Sequence, residues 1–410
     1  MTAPLKDGPL SGLRVLDFAW VWSGPQVAAW LGEFGAEVIK IEHGKRLDNT
    51  RLRARPVIDG VQAEGPSIEL HPYFHQTNHG KRSITLDLKR PEAIALIHEL
   101  AKTSDIVIEN LSPGALGRLG LDYASLSAVN PKIVYLSMSA LGQTGPQADL
   151  RAYAPIMSSF GGIEAQVGYP GERPIGMMNY GLGDPNAAVH ALLPLLAALY
   201  RREDDGLGCH IDMAQIEAMI SALPEPALEA LAGGPVSPPP GNRSRDAAPH
   251  GVFPAAGEDA WVTVAVVTDA QWAKLAPLIG MDEPALATLD GRLAEVERIE
   301  AALAAWTSQR SRESISEDLR ALGIASSPVL SVAEQWADPS LAERGVSRQV
   351  THPILGPEKL YAAPWRMGET PPRIEASAPL LGADNDAVFL DILGLDPAQL
   401  EALKADGVVA

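Results

Sequence analysis

A single cysteine, Cys209, in 410 residues rules out a disulfide within the chain and a cysteine-based metal cluster. Basic side chains are scarce too: 33 Lys and Arg face 51 Asp and Glu, for a formal net charge of −18. A general nucleic-acid surface needs a basic footprint, which this balance does not supply. A polyanionic ligand is left with a local basic cluster or a helix N-terminus. Long apolar runs are also missing. The run Ala187–Tyr200 falls short of the ~20 residues of a membrane span. Met1–Leu10 carries Lys6, Asp7 and two prolines ahead of any apolar stretch, so neither a signal peptide nor a membrane partner is expected, and a cytoplasmic enzyme is. The loop after the first strand has no glycine-rich dinucleotide fingerprint, only the turn Ser23-Gly24-Pro25, which gives no support to a nicotinamide or flavin.

What is present is an alternation of strand and helix. Leu13–Phe18 reads as a strand, Gln26–Phe34 has helical spacing with Val27, Trp30, Leu31 and Phe34 on one face, and Ala36–Glu42 is a second strand. Strand, helix, strand is a βαβ unit and implies a parallel sheet. Strands at Ser83–Leu88, Asp105–Asn110, Ile133–Met138 and Gly208–Met213, with a helix at Pro91–Lys102, repeat the pattern and make the fold class α/β. A helix is expected over about 214–232, and the Gly- and Pro-rich residues 233–242 mark a boundary or a lid. A hairpin of Gly251–Ala255 and Trp261–Val266, followed by Ala- and Leu-rich helices, reads as a smaller α+β domain. The expected division is 1–224 for the first part of a large domain, 225–330 for the small domain, and 331–410 for a return segment completing the large one. That segment holds an extended stretch at 349–360 and a C-terminal helix at 384–393.

Crevices of open parallel sheets lie at the carboxyl ends of strands, which puts Trp20 and Trp22 at a pocket wall, unless they only pack the core or an interface. Residues 43–75 are polar, irregular and rich in Arg (Arg46, Arg51, Arg53, Arg55), as suits a surface excursion or lid. Lys81, Arg82 and Arg118 stand beside strand ends. Singly they read as solvated surface residues; as a group they are candidates for phosphate binding.

The chain is organised around Tyr180-Gly181-Leu182-Gly183-Asp184-Pro185-Asn186, which leads into the apolar run. Pro185 suits the first helical position, where its missing N–H would be unpaired anyway. The local pattern alone makes Asp184 the N-cap of a buried helix, a role worth roughly 1 kcal/mol.

The wider sequence changes that reading. In order along the chain, Leu13–Phe18, Gly35–Glu42, Asn78 with Gly80–Ile84, Glu109-Asn110 with Pro113-Gly114, Gly142–Pro146, Gly183-Asp184, Gly241–Arg243 with Ala248–Phe253, and Leu381–Asn385 resemble the successive motifs of the class III CoA-transferases. That is the family of formyl-CoA transferase, carnitine CoA-transferase and α-methylacyl-CoA racemase. The likeness implies a large domain built from both chain ends around an open, nucleotide-binding-like parallel sheet, plus a small domain. It also implies an interlocked dimer, as a homodimer or as a heteromer with a related chain. The implied activity moves coenzyme A from an acyl-CoA donor to a carboxylic acid acceptor, with no metal. Asp184 would be the catalytic carboxylate, carrying first the acyl group as an anhydride and then CoA as a thioester. Trp20, Trp22, Tyr153 and Gly183 would border the substrate. His43, Asn78, Lys81, Arg82, Asn110, Leu111, Arg118 and Arg151 would contact CoA.

Two departures qualify the likeness. Trp22 stands where formyl-CoA transferase carries a Gln, and the paired tryptophans hint at a bulkier or aromatic acyl group. His43 replaces a family Arg that contacts the nucleotide, leaving Lys45 or Arg46 as substitutes. The racemase branch pairs a His with the Asp as acid and base across the α-carbon; aligning Leu150–Gly162 puts Tyr153 at that His. A phenol, with a usual pKa of about 10, is a poor base there, so the sequence leans towards transfer. A racemase and a non-catalytic partner subunit remain the alternatives, the second disfavoured by the retained Asp184.

Overall fold

Buried strands with apolar side chains on both faces set out the sheet of this protein in a computed structural model, which describes residues 8–53, 55–58, 60–177, 181–234 and 238–409. Tyr180 and residues 235–237 of the Gly- and Pro-rich stretch lie outside the described residues. The strands are β1 (Arg14–Asp17), β2 (Glu37–Glu42), β3 (Val57–Ile58), β4 (Val61–Gln62), β5 (Arg82–Thr85), β6 (Ile106–Glu109), β7 (Val134–Ser139) and β8 (Cys209–Ala214). Six of them form one parallel sheet in the order β5-β2-β1-β6-β7-β8. Strand order reverses between β1 and β6, the switch point at which open α/β sheets hold ligands.

Period-two alternation then sorts the side chains onto two faces. Val15, Ile106, Ile108, Leu136 and Met138 pack in one core with Val27, Ala28 and Leu31 of α1 (Ser23–Glu33). Leu16, Ile39, Ile41, Ile84, Val107 and Tyr135 pack in the other. Between these lie α2 (Pro72–Asn78), α3 (Pro91–Lys102), α4 (Tyr123–Val129), α5 (Ala154–Phe160) and α6 (Gly183–Asp205) in chain order. Leu96, Ile97 and Leu100 of α3 cover the second face, and Ala187, Ala188, Ala191 and Leu195 of α6 join the first.

All strands of the sheet precede residue 215, while the compact unit around it takes in both ends of the chain. The C-terminal part covers the second face, through Val388, Phe389, Leu400 and Val408. Its expected helix is a short π-type turn, Ala387–Ile392, and a further helix, Pro397–Ala405, is added behind a capping box of Asp396 and Gln399. The helix expected over 214–232 is broken into Gln215–Ile220 and Pro224–Leu231, since Pro224 cannot continue the hydrogen-bond ladder.

The 43–75 excursion is anchored in the interior rather than laid on the surface. Arg51 is buried, forks onto both oxygens of Glu42 at 2.9 Å, donates to Glu69 at 2.6 Å and lies 3.7 Å above the Phe74 ring. Glu42 ends β2 inside the protein, and a carboxylate desolvated there needs such a partner.

The chain divides into two compact units: residues 1–163, 177–224 and 343–410, and residues 164–176 and 225–342. In the second, β9 (His250–Pro254), β10 (Trp261–Ala265) and β11 (Ala325–Pro328) form an antiparallel sheet over Trp272, Ile299, Leu303, Ile315 and Leu319. A hairpin of β12 (Ser347–His352) and β13 (Gly356–Tyr361) belongs to the first. Among the described residues no helix is long and apolar enough to cross a membrane.

Candidate active site

At the switch point a cavity of about 600 Å³ opens in the first unit. Trp20, Val21 and Ser23 reach it from the end of β1, Lys45 and Arg46 from β2, and Asn110 and Leu111 from β6. Ser139 comes from β7, Arg151 and Tyr153 from the approach to α5, and Asp184 from the first turn of α6.

Asp184 is not the N-cap. Leu182 holds that position and is already helical (φ −57°, ψ −31°), so α6 starts at Gly183 and Asp184 is its second residue. Pro185, third, is tolerated because first-turn N–H groups have no partner within the helix. Freed from capping, the half-buried carboxylate accepts the Ser23 backbone N–H, which opens α1. The N-terminus of α1 therefore faces this anion, an arrangement that favours negative charge. Burial outweighs the Ser23 hydrogen bond and pushes Asp184 up to about 6. At neutral pH it is ionised yet poorly solvated, the state a carboxylate nucleophile requires.

The glycines before it serve packing. A Cβ on Gly181 would lie 2.5 Å from the Trp22 ring, and one on Gly183 3.1 Å from Met157 Cε. Trp22 does not line the cavity; it meets Tyr73 edge-on at 5.3 Å. Burial and the charge of Asp184 raise the Tyr73 hydroxyl above its ordinary value, so it stays protonated. Trp20 does line the cavity, with the Arg46 guanidinium 5.2 Å above its ring. Tyr153 is exposed at the rim, its hydroxyl 3.4 Å from Asn49 Nδ2.

The residues expected to contact CoA separate into two groups. Asn78 and Lys81 are buried, and Lys81 Nζ spends its donors on Asp17 (2.7 Å), the Pro25 carbonyl (2.9 Å) and Asn78 (2.9 Å), so neither reaches a phosphate. Desolvation pulls the Lys81 ammonium down to about 8 against the opposing pull of Asp17. Arg82 pairs with Glu37 at 3.1 Å. His43 stands 3.4 Å from Asp87 and accepts the Lys45 N–H, and it does not line the cavity. Arg118 is exposed but also outside the lining. Asn110 lines it while using its amide on the Trp20 backbone, N–H at 2.8 Å and carbonyl at 2.7 Å.

Lys45, Arg46, Leu111 and Arg151 remain. The three cations line the cavity and have no ion pair among the described residues. Arg46→Ala is expected to raise the dissociation constant for CoA about tenfold, the scale of one charge-assisted hydrogen bond; calorimetric titration checks it. Sequence reading missed Ser23, Lys40, Asp48 and Tyr73. Only Lys40 left a signal, a lysine at an inward position of the buried strand EVIKIE. Among the described residues no cluster of three His, Cys, Asp or Glu could hold a metal.

Fold and site together define an α/β protein with an open parallel sheet, cations around its switch-point crevice and one carboxylate inside it. The model of CoA-transferase family III matches residues 10–385, and the chain belongs to that family, whose enzymes move CoA between an acyl-CoA and a carboxylate. It is 32% identical to the succinate–glutarate CoA-transferase of Agrobacterium fabrum, over 95% of this chain and 97% of that one. It is 31% identical to the formyl-CoA:oxalate CoA-transferase of Streptomyces avermitilis, over 98% and 99%. Among solved structures, a CAIB/BAIF family protein from Brucella suis superposes with a TM-score of 0.84 at 30% identity, over 94% of this chain and all (100%) of that one.

Proposed function

We propose that this protein transfers CoA from an acyl-CoA donor to a carboxylic acid acceptor with Asp184 as the covalent carrier. The observation that carries the reading is the half-buried Asp184 carboxylate in the switch-point cavity, at about 6 and facing the N-terminus of α1. One Asp184 oxygen attacks the thioester carbonyl, the C–S bond breaks, and a mixed anhydride and CoA thiolate result. The thiolate attacks the aspartyl carbonyl and releases the donor acid, leaving an aspartyl-CoA thioester. The acceptor carboxylate displaces the thiolate to give a second anhydride. Thiolate attack on the acceptor carbonyl then forms the new acyl-CoA and restores Asp184.

The amide at the start of α1 is suited to the oxyanion of each tetrahedral stage. Lys45, Arg46 and Arg151 are the proposed phosphate and pantetheine contacts. Both curated relatives are named for transfer to short dicarboxylates, and a small carboxylic acid is the proposed acceptor class. The test supplies acyl-CoA with hydroxylamine and without acceptor, then maps peptides by mass spectrometry. A hydroxamate at Asp184 is expected; hydroxamate absent there, with transfer intact, overturns the reading.

We also propose a homodimer. Val189, Leu193, Leu196 and Tyr200 form an exposed apolar stripe on one face of α6, with Leu193 76% and Tyr200 79% exposed. Stripes of this kind mark association surfaces. Light scattering should give a two-chain mass, and Leu193→Glu should shift it to one chain.

A further inference from the structure

We infer that the turn Trp20-Val21-Trp22 is held in a strained conformation by the buried Lys40 and Asp48, and that Asp48 is thereby a positioning residue for Asp184. The inference rests on the reading of Asp184 as the covalent carrier.

Val21 has φ +67°, and Asp259 is the one other non-glycine residue with positive φ among those described. For a β-branched side chain the left-handed region is a genuine outlier, which persists only where the surroundings impose it. The surroundings here are specific. The Val21 N–H lies 3.3 and 3.2 Å from the two Asp48 oxygens. Asp48 is itself fixed by the Thr50 N–H at 2.9 Å and the Thr50 hydroxyl at 2.8 Å. Lys40 Nζ donates to the Ala19 carbonyl at 2.8 Å and stands 3.5 Å from Asp48. On the other side, the Asn110 amide holds both backbone groups of Trp20.

Lys40 and Asp48 are 1% and 2% exposed. A buried ion pair is weak evidence for stability, because apolar side chains of the same volume often do as well. What this pair does accomplish is geometric. Ser23 follows Val21 by two residues, and its N–H is the one delivered to the Asp184 carboxylate. If Val21 relaxed to negative φ, the peptide groups leading to Ser23 would rotate and that donor would turn away. Asp48 therefore acts on the reaction through the turn, without touching the substrate.

Strain makes this testable, because glycine adopts positive φ without cost. Asp48→Asn should lower kcat by about 10- to 100-fold, the scale of a misplaced catalytic group, with KM for acyl-CoA changed less than about threefold. In a Val21→Gly background the same substitution should lower kcat by less than about threefold, because the turn no longer needs to be forced. An unchanged kcat in Asp48→Asn, or equal losses in both backgrounds, overturns the inference. Should Asp48→Asn not fold by circular dichroism, Thr50→Val releases Asp48 more gently. A loss of about 3- to 10-fold that Val21→Gly abolishes is then expected, and a loss indifferent to residue 21 overturns the inference. Asp184→Ala, measured alongside, separates the two levels. An active Asp184→Ala removes the carrier itself, whereas an inactive one with no coupling between residues 21 and 48 removes this inference alone.

Discussion

Asp184→Ala should lower CoA transfer by at least about 10⁴-fold while leaving the dissociation constant for CoA within about threefold, because a covalent carrier has no substitute whereas the phosphate contacts lie elsewhere on the cavity. Transfer assays and calorimetry give the two numbers. Protonation has the same effect as removal: kcat should fall as pH drops through about 6, where the carboxyl gains its proton.

Burial also makes this residue a liability to the fold, and the sign follows from its two titrations. The unfolded carboxyl has its ordinary value of 3.8 and the folded one about 6. Below 3.8 both states are protonated and nothing is lost. Between 3.8 and about 6 the unfolded chain ionises first and stability declines with rising pH. Above that the deficit is complete, with an upper bound of about 3 kcal/mol, lowered by the opening of the carboxylate onto the cavity. Asp184→Asn should therefore melt above the wild-type protein at neutral pH, the difference vanishing towards pH ~4. A variant less stable than wild type at neutral pH would contradict the burial argument.

Lys81→Met should behave in the opposite way. It removes the partner of Asp17 at 2.7 Å and leaves a wholly buried carboxylate uncompensated, at a cost of about 3 to 5 kcal/mol. Urea unfolding should show that loss, while the folded fraction binds CoA as before. A weaker CoA affinity with unchanged stability would return Lys81 to the phosphate site. The contrast with Arg46→Ala separates the two kinds of cation: one holds the sheet together, the other faces the cavity.

That contrast shows where sequence reading stopped. The strands and α3 were legible because apolar periodicity is local, and Pro91–Lys102 has the same bounds in sequence and structure. Glycine-flanked Asp184 stood out for a similar reason. Its neighbours did not, since Ser23 is an amide rather than a side chain and Asp48 is one carboxylate among 51 acidic residues. The excursion read as surface because arginine is usually solvated. Arg51 is inside because Glu42 and Glu69, distant in sequence, meet there.

The order of amino acids by itself determined an α/β chain with a parallel sheet, the family likeness and the carboxylate to watch, since hydrophobic period and turn chemistry act over a few residues. Only the tertiary structure decided which cations are buried struts and which line the cavity. It alone also showed that α6 starts one residue before Asp184 and that the first amide of α1 comes to its carboxylate. Burial and direction arise from contacts between segments far apart in the chain, and charge along a sequence carries no record of the solvent it will finally see.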